Sequence, residues 1–428
     1  MVENKKVLIV TYYWPPAGGP GVQRWLKFAK YLPEFGWEPI IYTPENPSYP
    51  LVDESLLQEV PDGIKMVKTK IWEPYQLAEK LNKSNKKFKG GQFDVGENQS
   101  WKSKVSIWVR GNFFIPDARV FWVKPSIPFL KKYLQENQIE TLVTTGPPHS
   151  MHLIGLGLKK ELPNLKWIAD FRDPWTEISY YKHLKLTKNS DAKHRRLEKE
   201  VFQNADITLA TSFSDAENFK KNGANAICIT NGFDQNPNSE NVKSNSDNFS
   251  LSYIGVLEQL RNPEVLWEAI HELRKENPDF AKDFKITFAG RVDEKILNQL
   301  KGLELSDSIV NLGYLSHQGS VQVMQEANLL LITNFPESAS KGIIPGKLFE
   351  YLATGNPILS FGPKDADVDQ ILNETEAGTH FSYAQKKEVK TYLLQHYNQW
   401  KSHSKTSKSP SIDQYSRRNL TKKLAGIL

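Results

Sequence analysis

The feature that most constrains this chain is an alternation, run through twice, of apolar segments of strand length with stretches of helical periodicity. The first series holds "KVLIVTYY", "EPIIYT", "IKMVKTK", "ETLVTT", "KWIADF", "ITLATS" and "AICIT". Between them Val22, Trp25, Leu26, Ala29 and Leu32 recur on one helical face, and 150–161 and 192–204 read as later helices. Strands that alternate with helices predict a parallel sheet covered on both faces, because parallel neighbours need a crossover. After "TNGFD" the run "QNPNSENVKSNSDN" has no apolar face, so a domain boundary is expected there. The second series is "FSLSYIG", a helix over 262–276, "FKITFAG", a helix over 293–301, "IVNLGYL", a helix over 317–327, "NLLLIT", the helix in "GKLFEYLATG" and "PILSF". At 428 residues the chain exceeds the roughly 250–300 at which single cores stop growing. Two doubly wound α/β domains are predicted, one over 1–235 completed by a C-terminal helix 413–428, the other over 248–412.

Bulk properties narrow the function classes. No run approaches the roughly 18 apolar residues of a spanning helix. The opening "MVENKKVLIVTYYWPP" has Tyr, Trp and Pro where a cleavage site would need small residues, so it reads as a core strand. One cysteine, Cys228, excludes a disulfide framework and a cysteine metal cluster, which fits a reducing cytoplasm. A net charge of +6, spread thinly, suits anionic small molecules or a membrane surface better than a nucleic-acid groove.

In doubly wound sheets ligands sit beyond the carboxyl ends of strands, so the loops after strands carry the candidates. "YWPPAGGPGVQR" follows the first strand, and Gly18 and Gly19 would let backbone amides and a helix amino terminus approach a phosphate. It is no dinucleotide fingerprint, since the G-x-G-x-x-G register read from Gly19 ends on Arg24. "TTGPPHS" and "ADFRDPW" bring His149, Asp170, Arg172 and Asp173 to the same edge. In the second domain, loops after successive strands carry Gly255 with Arg261, and Gly290 with Arg291. "KGIIPGKLFEYLATG" then offers the amides of Gly342, Ile343, Ile344 and Pro345–Gly346, the helix amino terminus, Lys347 and Leu348 for a diphosphate. Glu350 lies one turn beyond Lys347, where a carboxylate accepts bonds from paired ribose hydroxyls; the alternative is a solvated surface pair. "DADVD", Asp365 to Asp369, reads as acids at a helix amino terminus, and no metal or other cofactor is expected.

Taken together, these motifs resemble the retaining glycosyltransferases of family 4, which have the GT-B fold of two facing Rossmann-like domains with a cleft between them. The resemblance rests on "VLIVTYYWPPAGGPGVQR", "TNGFD", "VNLGYLSHQGSVQVMQEANLLLIT" and "PGKLFEYLATGNPIL", and spans almost the whole chain. It implies that Gly19 contacts the donor diphosphate, Arg261 and Lys347 clamp its charge, and Glu350 holds the ribose. Two positions depart from the pattern: Gly342 stands where the family has a second Glu, and Arg172 where many members have a His. The implied activity is metal-independent transfer of a hexose-type sugar from a nucleotide-diphosphate sugar to a glycan or lipid-linked acceptor, in cell-envelope polysaccharide synthesis. Arg261, Lys347, Asp173 and His149 form the expected catalytic set, with Asp170 and Arg172 on the acceptor side. The alternatives are a nucleotide-sugar epimerase on the same fold and a non-catalytic sugar-binding protein.

Residues 82–104 are polar, and "WKSKVSIWVRGNFFIPDARVFWVKPSIPFLKKYL" then crowds Trp and Phe among Lys and Arg. Two readings compete: a helical hairpin whose aromatics fill the core, and a peripheral membrane contact through 101–131 of a cytoplasmic protein.

Overall fold

The computed structural model describes residues 5–74, 101–178, 181–234, 247–403 and 410–428. The polar stretch 82–100 and most of the expected linker lie outside them. The chain forms two compact units, Met1–Thr230 with Arg417–Leu428, and Asn231–Ser416. The return to the first unit therefore falls at Ser416/Arg417, a few residues beyond the expected 412/413.

The first unit is built on seven parallel strands: β1 (Lys5–Val10), β2 (Trp37–Pro44), β3 (Lys65–Thr69), β4 (Thr141–Gly146), β5 (Lys166–Phe171), β6 (Ile207–Ala210) and β7 (Ala226–Cys228). They run in the order β3-β2-β1-β4-β5-β6-β7. In β1 Leu8 and Val10 enter one core and Val7 and Ile9 the other, so every second residue finds a buried face on each side. That is why the strand is continuously apolar rather than alternating. The helix Pro20–Tyr31 buries Val22, Trp25, Leu26 and Ala29 on the Val7/Ile9 side. Val22 and Leu26 each contribute roughly 1.5–3 kcal/mol of burial, and Ala29 less. The helix Arg417–Ala425 adds Leu420 and Leu424 to that same core, Trp37 Nε1 donates to Ala425 O at 3.2 Å, and Arg418 pairs with Glu34 at 2.6 Å.

The second unit has six parallel strands: β8 (Phe249–Ile254), β9 (Phe284–Ala289), β10 (Ile309–Gly313), β11 (Leu329–Thr333), β12 (Ile358–Phe361) and β13 (Gly378–Phe381). Their order is β10-β9-β8-β11-β12-β13. The sequence reading missed β13. Its four residues, GTHF, have no apolar run, and the strand forms because Gly378 lets the backbone lie close against Ile358 of β12.

Each sheet has one place where the direction of winding reverses, between β1 and β4 in the first unit and between β8 and β11 in the second. Crossovers leave on opposite faces there, which opens a crevice at the carboxyl edge.

Candidate functional site

The second unit's reversal point is formed by the loop after β8 and the loop after β11. The first is held rigidly. Ile254 N donates to the Tyr351 hydroxyl at 3.2 Å, Gly255 N to Ala289 O at 2.7 Å, and Leu257 N to Arg291 O at 2.8 Å. Gly255 and Gly290 have φ of +113° and +135°, and a Cβ on Gly290 would stand 2.2 Å from the Gly255 carbonyl oxygen. Only glycine meets both demands, left-handed backbone and close approach of two loops.

Two cations converge on this loop. Lys347 Nζ donates to Ile254 O at 2.8 Å and lies 4.1 Å from the centre of the Tyr253 ring. Arg261 Nη2 donates to Val256 O at 2.7 Å, and its guanidinium carbon sits 5.7 Å from the Phe335 ring centre. Burial pulls the Lys347 ammonium below the ordinary lysine value; Tyr253 and Glu350 act against the shift, and the Arg261 charge adds to it. Glu258 comes only to 3.9 Å of Arg261. Two like charges packed beside carbonyls, with so little carboxylate between them, favour the arrival of an anion.

A helix terminus completes the constellation. The helix Gly346–Thr354 starts at Pro345 with no side-chain cap and no acid in its first turn. Its amino end is therefore an open positive pole. Glu350 is exposed one turn beyond Lys347. The preceding loop is braced: Asn334 Nδ2 donates to Ile343 O at 2.8 Å, Asp367 N to Lys341 O at 3.0 Å, and the Tyr383 hydroxyl reaches the carbonyls of both Arg261 and Asn334. Some expected contacts change character. The Ile343 amide is already bonded to Ser340 O at 2.9 Å, and Leu348 is fully buried with its amide on Pro345 O at 2.9 Å, so Leu348 packs the helix instead of facing a ligand. Gly342 and Ile344 are half-buried and Arg291 is exposed. Tyr383, Asn334 and Tyr351 were not singled out in the sequence. Each acts through partners distant along the chain.

The first unit's edge is built differently. Asp170 is fully buried and saturated: Arg24 Nη2 and Nε reach it at 2.9 and 3.1 Å, Trp25 Nε1 at 2.7 Å and Thr145 Oγ1 at 2.8 Å. Burial acts to raise its pKa, but Arg24 and these donors outweigh it and the net shift is downward. Asp170 thus ties the helix Pro20–Tyr31 to β4 and β5, with no oxygen left for a substrate, and Arg24 gains its role from the same pair. Arg172 is likewise turned inward, donating to Gly21 O at 2.6 Å, to Gly146 O at 3.3 Å and to Pro147 O. Gly18 gives its amide to Leu51 O at 2.9 Å, while Gly19 starts the helix Pro20–Tyr31 without a side-chain cap.

His149 opens the helix Ser150–Glu161, stacked on Trp175 at 5.1 Å, with both ring nitrogens buried and without a hydrogen bond among the described residues. Burial, then the charges of His152, Arg172 and His194, hold it well below the ordinary value, so it is neutral. The amino end of that helix is already occupied, because Asp117 accepts from Ser150 N at 2.9 Å and Ser150 Oγ at 2.8 Å. Asp173 remains exposed by area; desolvation by the surrounding loops raises its carboxyl, against Arg172 and with Asp170. Among the described residues no group of three or more His, Cys, Asp or Glu side chains is arranged to hold a metal ion.

No family model and no curated protein matches the chain. Among solved structures it is similar to a glycosyltransferase from Rickettsia africae, at 14% identity and a TM-score of 0.59, over 99% of this chain and 97% of the other. It is also similar to Anabaena HepE in complex with UDP-glucose, at 12% identity and a TM-score of 0.54, over 98% of each chain. A third is a mutant of S. aureus TarM in complex with fondaparinux, alpha-GlcNAc-glycerol and UDP, at 10% identity and a TM-score of 0.55, over 99% of each. At such identities the likeness speaks to fold. Two Rossmann-like units with parallel sheets of seven and six strands, matched end to end by these structures, define the GT-B class.

Proposed function

We propose that the protein is a glycosyltransferase that moves a hexose-type sugar from a nucleotide-diphosphate sugar to a glycan or lipid-linked acceptor, with retention and without a metal ion, in cell-envelope polysaccharide synthesis. One observation carries the reading: Lys347 and Arg261, from different strands' loops, anchor on carbonyls two residues apart at the second unit's reversal point, beside an uncapped helix amino terminus. When the sugar leaves, charge builds on the diphosphate, and fixed cations and amides aimed at it stabilise the transition state by several kcal/mol. Glu350, exposed one turn along, is in reach of the ribose hydroxyls in this reading. The likeness to structures solved with UDP-glucose and with UDP supports the donor class. The acceptor side falls to Asp173, the exposed carboxylate of the first unit's edge, whose raised pKa suits a group that meets a hydroxyl proton.

The test is incubation of the purified chain with a panel of nucleotide sugars, with and without acceptor glycans. Stabilisation of the fold by a nucleoside diphosphate, followed by acceptor-dependent release of that nucleotide, is the expected result. Conversion of the donor without any acceptor would favour the epimerase reading, and nucleotide binding without turnover a sugar-binding protein.

A further inference from the structure

The aromatic stretch of the first unit divides cleanly in two. Trp122 is buried and stacked on Tyr42 at 4.6 Å, and Ile107, Ile115, Leu130 and Leu134 are buried with it. These fill the core. A second set faces water: Phe113 is 67% exposed, Phe121 43%, Phe129 41% and Trp108 39%. They fall into small touching groups. Trp108 and Phe113 meet at 5.7 Å, Phe121 lies 6.0 Å from Phe114, and Trp72, itself exposed, meets Phe121 at 4.6 Å. Along the helix Val123–Glu136 and the turn before it, Phe121, Lys124, Pro125, Pro128, Phe129 and Lys132 form one exposed stripe, opposite the buried Trp122, Ser126, Leu130 and Leu134.

The charge of this face chooses its partner. Residues 105–136 carry Arg110, Arg119, Lys124, Lys131 and Lys132 against Asp117 and Glu136. Asp117 is engaged with Ser150 and Arg119 is buried beside Glu73, so neither colours the surface. Lys131 pairs with Glu161 at 2.8 Å and Lys132 approaches Glu136 at 3.7 Å. Lys124 and Lys132 stand exposed on the stripe itself. A second copy of the same face would meet it with like charge, which opposes self-association. Aromatic rings interleaved with lysines instead suit a headgroup region, where the rings enter the interface and the ammonium groups reach the phosphates.

We propose that Trp108, Phe113, Phe121 and Phe129, with Lys124 and Lys132, form a docking face for an anionic lipid surface. The inference stands on the exposed face alone and is independent of the transferase reading. It is tested by co-sedimentation of the full chain with phosphatidylglycerol–phosphatidylcholine vesicles and with phosphatidylcholine vesicles. The wild-type chain should pellet with the anionic vesicles, less with the neutral ones, and release at raised salt. Two variants, F113S/F121S/F129S and K124E/K132E, should each lower partitioning about tenfold or more while unfolding at the wild-type temperature. Wild-type chain left in the supernatant, or variants that pellet like wild type, would overturn the proposal. So would a wild-type dimer in solution that the Phe variant converts to monomer, since the face would then be a contact between copies.

Discussion

The two reversal points of this molecule share a topology and differ in what they do with charge. In the first unit the charges are spent inside the fold: Arg24 pairs with Asp170, Arg172 donates to three carbonyls, those of Gly21, Gly146 and Pro147, and Asp117 accepts at the start of the helix Ser150–Glu161. In the second, Lys347 and Arg261 lean on carbonyls, and the helix Gly346–Thr354 has neither cap nor acid at its start. Saturated charge holds a fold together, whereas charge left only half-balanced by neutral dipoles is available to a ligand. The buried charges of the first unit's crevice are accordingly structural, with Asp173 left exposed, and the second unit's crevice is a candidate for anion chemistry, although a strand order diagram would not tell the two apart.

That contrast can be broken by substitution. The largest effect is expected for Asp170→Ala, which strands the buried Arg24 guanidinium; it should cost about 3–5 kcal/mol in denaturant unfolding. A cost below 1 kcal/mol would mean that the first edge is not held by its ion pair. Lys347→Ala and Arg261→Ala should each lower transfer at least tenfold while the protein unfolds cooperatively; normal turnover in both would remove the anion site. Glu350→Ala, at an exposed position, should weaken binding of the free nucleotide by about 1–3 kcal/mol, and an unchanged dissociation constant would end its ribose role. The smallest effect is one of pH. His149 and His152 lie below the ordinary histidine value near 6.5, His152 at about 3, so the unfolded chain binds protons that the folded one does not as the pH falls below 6.5. Stability should therefore decline on acidification, by about 1.4 kcal/mol per pH unit for each such group. His149→Phe, which keeps a ring against Trp175, should reduce that slope by one proton; an unaltered slope would mean that the ring is charged in the native state. Retained turnover in the same variant would take His149 out of the catalytic set.

The sheets were legible because strands buried on both sides must be apolar throughout, as "KVLIVTYY" and "NLLLIT" are. β13 was not, since its place depends on a close approach to Ile358 that leaves no pattern in GTHF. Arg261, Lys347 and Glu350 could be proposed because they follow strands directly. The inward turn of Asp170 and Arg172 could not, because Arg24 and Asp170 are 146 positions apart and no local spacing encodes their meeting. The same holds for Tyr383, whose hydroxyl bridges two loops from beyond β13. Between 101 and 131 the core reading fits part of the aromatic set and not the rest. Trp122 is core and Trp108 is not, a distinction made by packing against Tyr42 and not by residue type.

The first unit is closed only by the segment 417–428, which lays Leu420 and Leu424 against the core that Val7 and Ile9 begin. The second unit is one uninterrupted stretch of chain. On the ribosome, then, the earlier-made half carries part of its apolar face bare through the synthesis of the whole later-made half.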